Sequence, residues 1–257
     1  MSRIHPTAII DTTAHIGQTS HIGPYCIIGP GVFLGEGCRL HNHVTLAGPT
    51  VIGDGNEFYP YCSIGQRRQD LKYSVEPTNL VIGDGNTFRE FVTVHRSTSP
   101  EGETRIGSRG NFLAYSHIAH DCIVGDDVIF SNNGTLAGHV SVADHAVIGG
   151  LSGVHQFCRI GAHAIVGGCT KIVQDVPPFL IADGNPAEIR GVNHVGLERR
   201  GFSTEAIRQL REAYRVLYRT NLNTTQALEA LRRDFDGSEL VAHLAEFIAT
   251  SERGIVR

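Results

Sequence analysis

The stretch His15-Ile-Gly-Gln-Thr-Ser-His-Ile-Gly-Pro-Tyr-Cys-Ile-Ile-Gly29 places Ile16, Ile22 and Ile28 six residues apart, each followed directly by glycine. Stepping outward by six finds Ile4 and Ile10 on one side, then Leu34, Leu40, Leu46, Ile52, Phe58 and Ile64 on the other. The beat returns at Ile82, Phe88 and Val94, and runs again from Ile106 through Phe112, Ile118 and Val124 to Ile172. A helix repeats every 3.6 residues and a strand every two, so neither sustains a period of six. A three-sided coil of short strands and turns does, with one hexad per face and three hexads per coil. Stacked coils would lie about 4.8 Å apart, as neighbouring strands do. The apolar residue of each hexad fills the interior, and the glycine after it suits a turn between faces. The sequence therefore predicts a mainly β fold, a parallel β-helix over residues 1–190.

Two charged, Pro-containing stretches, about 65–81 and 96–105, interrupt the repeat and read as loops leaving the prism. The period ends at Pro177-Pro178, and helical spacing takes over in residues 191–257. Ser203 is placed to cap a helix over Thr204 to Arg219, Thr224 or Thr225 to open a second, and Ser238 a third reaching about Ser251. This α-helical C-terminal domain would close the open end of the β-helix, whose backbone edges are otherwise bare.

Composition narrows the function classes. A chain of 257 residues can bury a large core, and its 30 glycines without a collagen period indicate many tight turns. A net charge of −4 argues against general nucleic-acid binding or a membrane-surface role, both of which need a basic face. No apolar signal segment opens the chain and no run of 18 apolar residues occurs, so a cytoplasmic protein without membrane insertion is expected.

Repeat phase then sorts the reactive side chains. Cys26, Cys38, Cys62, Cys122 and Cys158 each fall two residues before an apolar hexad position, where a small inward side chain is needed. Cys26 and Cys62 are two coils apart, as are Cys122 and Cys158, roughly 9 to 10 Å and too far for a disulfide. Buried structural thiols are expected. None of the twelve histidines in the repeat region takes an inward position or the small slot. Stacking by 18 residues puts His120, Gly138 and Gln156 in one column, with Asp121 and His139 in the next and His155 beside Gln156. His117 is only their neighbour in sequence.

Such a cluster could hold zinc, which wants three or four ligands at about 2 Å. It also fits a general base: Asp121 orients the His120 imidazole and stabilises its protonated form, while Gly138 lets a backbone N–H approach a developing oxyanion. That combination describes acyl transfer from a thioester to a hydroxyl.

The hexads resemble those of the hexapeptide-repeat acyltransferases, which implies a left-handed parallel β-helix where the general crossover rule would favour the right-handed form. His117-Ile-Ala-His-Asp-Cys122, Leu136-Ala-Gly-His-Val-Ser141, Val154-His-Gln-Phe-Cys158, Gln69-Asp-Leu-Lys-Tyr73 and Arg199-Arg-Gly-Phe-Ser203 closely resemble, in order and spacing, the acyl-[acyl-carrier-protein]–UDP-N-acetylglucosamine O-acyltransferases, which begin lipid A biosynthesis. The likeness spans nearly the whole chain. It implies transfer of an (R)-3-hydroxyacyl group from acyl carrier protein to the glucosamine 3-hydroxyl of UDP-N-acetylglucosamine, without a metal or cofactor. His120 would be the base, Asp121 its orienter and the Gly138 N–H the oxyanion donor. Asp70 and Lys72, with Gln69 nearby, would meet sugar and phosphates, and His117, His139, His155 and Gln156 would line the sugar and acyl cleft. Asn193, Arg199 and Arg200 would bind the nucleotide end, Arg suiting phosphate through its planar fork. Gly168, at the family's acyl ruler, leaves room for a long chain. The family is a homotrimer with sites between subunits.

One departure is Val195, where the family often carries Glu two residues after the Asn matching Asn193; His194 is the available substitute. For the acidic carrier protein, Arg208, Arg211, Arg215 and Arg219 recur at three or four along one face of the first tail helix. From residue 190 onward there are 11 basic against 9 acidic side chains, with 11 and 17 before it. The alternative for that face is a solvated surface paired with its own Glu residues. Competing activities are the later N-acyltransferase of the pathway, whose uridine-binding N-terminal domain has no room before Ile4, a zinc β-helix carbonic anhydrase, and a β-helix scaffold without activity. A 3-amino sugar could take the place of the 3-hydroxyl.

Overall fold

A computed structural model describes residues 3–69 and 78–257. Its strands are mostly two residues long, and each pairs in parallel with the strand one coil away, as in Ile27↔Thr45 and His117↔Thr135. Three sheets of nine, eight and ten strands result among the described residues, each taking every third strand in chain order until the last turns. We call these the first, second and third faces. Only the ten-stranded third face ends differently: Leu180–Asp183 adds one more parallel strand, and Glu188–Val192 returns antiparallel to it. The expected domain border at residue 190 therefore falls inside a strand.

Why the repeat works is visible at two of its positions. The third residue after each apolar one lies in the left-handed region, at every sixth residue from Tyr115 to Cys169. The glycine after the apolar residue has ordinary backbone angles instead, except Gly65 at the first interruption. At Gly17, Gly35, Gly53, Gly83, Gly107 and Gly125, a column up one edge, an added Cβ would collide with the backbone or a polar side chain of the next coil. These glycines permit close stacking rather than an unusual φ. Beside them, acidic side chains cap the N–H groups of the preceding turn: Asp54 Oδ1 accepts from Glu36 N–H (2.7 Å) and Asp144 Oδ1 from Asp126 N–H (2.8 Å).

Inside, Phe58, Phe88 and Phe112 stack ring on ring with centroids 4.9 and 4.8 Å apart, close to the coil spacing, and Phe130 follows at 5.2 Å, tilted by 45°. The five cysteines are buried and unbonded, as expected. They also donate, Cys122 Sγ to Ala137 O at 3.1 Å and Cys26 Sγ to His41 O at 3.1 Å. Burial pushes the Cys62 and Cys122 thiols up to about 12, so neither is a nucleophile.

Both interruptions are narrower than expected, because Ser63–Gln66, Asn79–Ile82 and Glu103–Ile106 are strands. The insertions lengthen single coils, so that Ile52 pairs with Ile82 and Ile82 with Ile106. At the C-terminal end lie four helices: α1 (His194–Arg199), α2 (Thr204–Tyr218), α3 (Thr224–Asp234) and α4 (Glu239–Ala249). Ser203 caps α2 by accepting from Ala206 N–H. Asn223, rather than Thr224, caps α3, in a reciprocal pair with Gln226. Ser238 stands at the start of α4, but its hydroxyl donates to Gln209 instead of capping. The short α1 was not expected. No helix among the described residues is long and apolar enough to cross a membrane.

Candidate active site

His120 and Asp121 occupy the turn between the strands His117–Ile118 and Ile123–Val124, at the edge joining the first and second faces. Asp121 is in the left-handed region, with φ 59°, and its position is fixed from three sides. Its N–H donates to Thr104 Oγ1 (2.8 Å), Thr98 N–H donates to its Oδ1 (3.0 Å), and His120 Nδ1 lies 2.8 Å from its Oδ2. The second interruption thus folds down to hold the carboxylate. Burial alone raises the Asp121 carboxyl, but the Thr98 N–H and the His120 imidazole outweigh it and hold the group below the usual carboxylate range. A carboxylate facing Nδ1 favours the tautomer with its proton there, leaving Nε2 as the free base.

Stacking by 18 residues brings the expected neighbours. His139 N–H donates to His120 O (3.0 Å), and His139 Nε2 is 3.5 Å from Asp121 Oδ2. A Cβ on Gly138 would overlap the His120 ring, so only glycine lets the imidazole lie there. Among the described residues no group accepts from the Gly138 N–H. The equivalent N–H groups of Glu36 and Asp126 are capped by acids. The turn at 138 therefore offers a bare donor beside the His120 imidazole. His139 stacks on Phe157, centroids 4.7 Å apart, and the two border a 550 Å³ cleft also lined by Arg159 and Arg253.

His117 sits one strand below, its Nδ1 2.7 Å from Thr93 Oγ1; burial, then the nearby His120, pushes its imidazole down. His95, which phase alone left on the surface, is 95% buried against it, with ring centroids 4.8 Å apart. The strand pairing shifts at Gly65, so that His95 faces Gln66 and is covered. Burial, with His117 and His120 adding repulsion, brings its imidazole down to about 4. The signal for His95 lay only in its place directly after an apolar hexad residue beside the second interruption. His155 and Gln156 are exposed one coil beyond His139, with Arg253 Nη2 3.4 Å from His155 Nδ1.

Other candidates do not join this cluster within one chain. Asn193 is 94% buried; its side chain accepts from Gly196 N–H (3.1 Å) to cap α1 and donates to His163 O (2.9 Å), so its polar atoms are already engaged. Arg199 is exposed, and Arg200 Nη1 lies 2.7 Å from His145 Nδ1 on the edge joining the second and third faces. Gly168 is exposed on the remaining edge, where a Cβ would touch only Gly150 O. Gln69 is exposed, while Asp70 and Lys72 lie outside the described residues. Arg208 is paired with Glu205 (2.7 Å) and Glu212 (2.6 Å); Arg211, Arg215 and Arg219 are exposed along the same helix. His120, Asp121 and His139 bring three possible metal ligands within 4.8 Å of one another. His120 Nδ1 faces its carboxylate partner at 2.8 Å, which leaves Nε2 free.

A parallel β-helix of hexads with a His–Asp pair and a bare turn N–H at its edge defines a hexapeptide-repeat acyltransferase, and the helix is left-handed. Residues 175–256 match the family profile described as Udp N-acetylglucosamine O-acyltransferase, domain 2. The acyl-[acyl-carrier-protein]–UDP-N-acetylglucosamine O-acyltransferase of Burkholderia orbicola is 51% identical over all of both chains. Among solved structures, LpxA from Acinetobacter baumannii is 45% identical with a TM-score of 0.96, and the UDP-N-acetylglucosamine O-acyltransferase of Moraxella catarrhalis is 45% identical with 0.95, each covering all of both chains. The chain belongs to the acyl-[acyl-carrier-protein]–UDP-N-acetylglucosamine O-acyltransferase family.

Proposed function

We propose that the chain performs the first acyl transfer of lipid A biosynthesis, from acyl carrier protein to the glucosamine 3-hydroxyl of UDP-N-acetylglucosamine, with His120 as general base. The observation that carries this is the 2.8 Å contact of His120 Nδ1 with Asp121, set against Gly138. Nε2 takes the proton of the sugar hydroxyl as its oxygen attacks the thioester carbonyl. The imidazolium is stabilised by Asp121, and the Gly138 N–H donates to the oxyanion. Collapse breaks the carbon–sulfur bond, and the departing thiolate takes the proton back from Nε2. The transferred group is an (R)-3-hydroxyacyl chain, and the open turn at Gly168 suits a long one.

Arg200 and His120 sit on different edges of one chain, which supports a complete site that joins edges of two chains in a homotrimer. An exposed ladder on the remaining edge supports such assembly: Tyr25, His43, Tyr61, Phe91 and Tyr115 stack at 4.8 to 5.1 Å, with the four non-histidine rings 41% to 58% exposed. A continuous aromatic strip of this kind marks a surface that another chain covers. Carrier-protein docking falls to Arg211, Arg215 and Arg219, since Arg208 is already neutralised.

The test is acyl transfer with UDP-N-acetylglucosamine and its 3-amino analogue across acyl lengths, using wild type and His120→Ala. Turnover with the hydroxyl sugar, falling about 10² to 10⁴-fold in the variant, is expected. Retained turnover in His120→Ala removes the base assignment, and exclusive use of the amino sugar removes the acceptor.

A further inference from the structure

On the edge joining the second and third faces, Arg109, Asp127, His145 and His163 follow one another at 18-residue spacing, all in the left-handed region. Arg109 forks onto Asp127 through Nε and Nη2 (3.0 and 2.8 Å), and its Nη2 also reaches Asp126 Oδ2 at 3.0 Å. Asp127 Oδ2 lies 3.8 Å from His145 Nδ1, the nitrogen that is 2.7 Å from Arg200 Nη1. The His145 ring rests on His163, centroids 4.6 Å apart, and His163 is closed off by Phe202. A guanidinium has five N–H donors and no acceptor, so Arg200 must be the donor and Nδ1 the bare nitrogen of a neutral imidazole. The backbone of Arg200 is held as well, its N–H donating to Leu197 O at the end of α1.

An exposed arginine with no packing role ordinarily samples many rotamers and must be ordered when a ligand arrives. Here one N–H is spent on His145, and the other donors of the fork remain for solvent or a ligand. We infer that His145, its ring stacked on His163, is a positioning residue that holds the Arg200 guanidinium ready for the phosphates of the sugar nucleotide. This rests on the reading of Arg200 as a nucleotide contact. Ordering one long side chain costs about 0.5 to 1.5 kcal/mol, roughly two- to twelvefold in an equilibrium constant.

Steady-state kinetics with UDP-N-acetylglucosamine as the varied substrate test it, on variants whose melting temperature shows them folded. His145→Ala raises KM by about three- to tenfold and leaves kcat within about twofold. His145→Gln, whose side-chain oxygen can accept from Arg200, recovers most of the loss. Arg200→Ala raises KM at least as far, and the double variant is no worse than Arg200→Ala, because the two residues act as one unit. If Arg200→Ala raises KM while His145→Ala does not, or if the two losses add in full, the positioning role is wrong and the nucleotide contact stands. A lower KM in His145→Ala would mean that the histidine withholds the guanidinium, which also overturns it. Should Arg200→Ala itself leave KM unchanged, the nucleotide reading fails and the positioning role falls with it.

Discussion

Asp121 is held by Thr98, Thr104 and His120 together, so its removal disturbs more than one contact. Asp121→Asn is the informative change, because the amide keeps the shape but can present an N–H to Nδ1 and so favour the tautomer with its proton on Nε2. We expect kcat to fall about 10²-fold or more, with KM for both substrates nearly unchanged; an increase confined to KM would remove the orienting role. The His120–Asp121–Gly138 grouping was legible in the sequence because a stacked coil converts an 18-residue spacing into contact. His95 was not, since its burial depends on the shifted pairing opposite Gly65 and Gln66, which no periodicity encodes. Asn193 shows the same limit from the other side. An asparagine before a helix can bind a ligand or cap, and only the fold shows its two polar atoms already taken by Gly196 and His163.

Among the elements, α2 carries the charge question. Its inner side buries Ile207, Leu210, Ala213 and Leu217, which turns the arginine stripe to solvent. Arg208 is shared between Glu205 and Glu212, and exposed pairs of this kind add little stability. Reversing Arg211 and Arg215 to Glu should raise KM for acyl carrier protein several-fold at low salt, with the difference shrinking as ionic strength rises. No change at low salt would take the docking face off α2. The helical tail was predicted in number and place for three helices, while the six-residue α1 was missed because it is too short to show a period.

For the whole molecule, acid sensitivity follows from covered imidazoles and assembly from an exposed aromatic edge. Burial is the main cause that lowers His95 and His163 to about 4 in the folded chain. Between that value and the ordinary imidazole range near 6.5, the unfolded chain binds more protons, so stability must decline as pH falls through this window. Urea midpoints measured from pH 7 to 4 should decrease steadily, and His95→Asn should flatten the decline; a flat profile in the wild type would contradict the buried neutral imidazoles. If the chain assembles as the proposed trimer through this edge, sedimentation should show Tyr61→Glu with Phe91→Glu as smaller species than the wild type, and transfer should be lost. A trimer that persists with full activity would show that the aromatic edge is not the contact.

The amino-acid sequence by itself determined the coil, its phase and the residues facing its interior, because a strict period of six fits a three-sided coil and neither a helix nor a plain strand, and stacking makes distant residues neighbours. It also determined the family, through motifs spread over the whole chain. Only the tertiary structure decided how the interruptions end, which histidines are covered, and which candidate polar groups already have partners. Those outcomes depend on contacts between segments that share no period, such as Thr98 on Asp121 and Arg200 on His145, and a local pattern carries no information about a partner that it meets only in three dimensions.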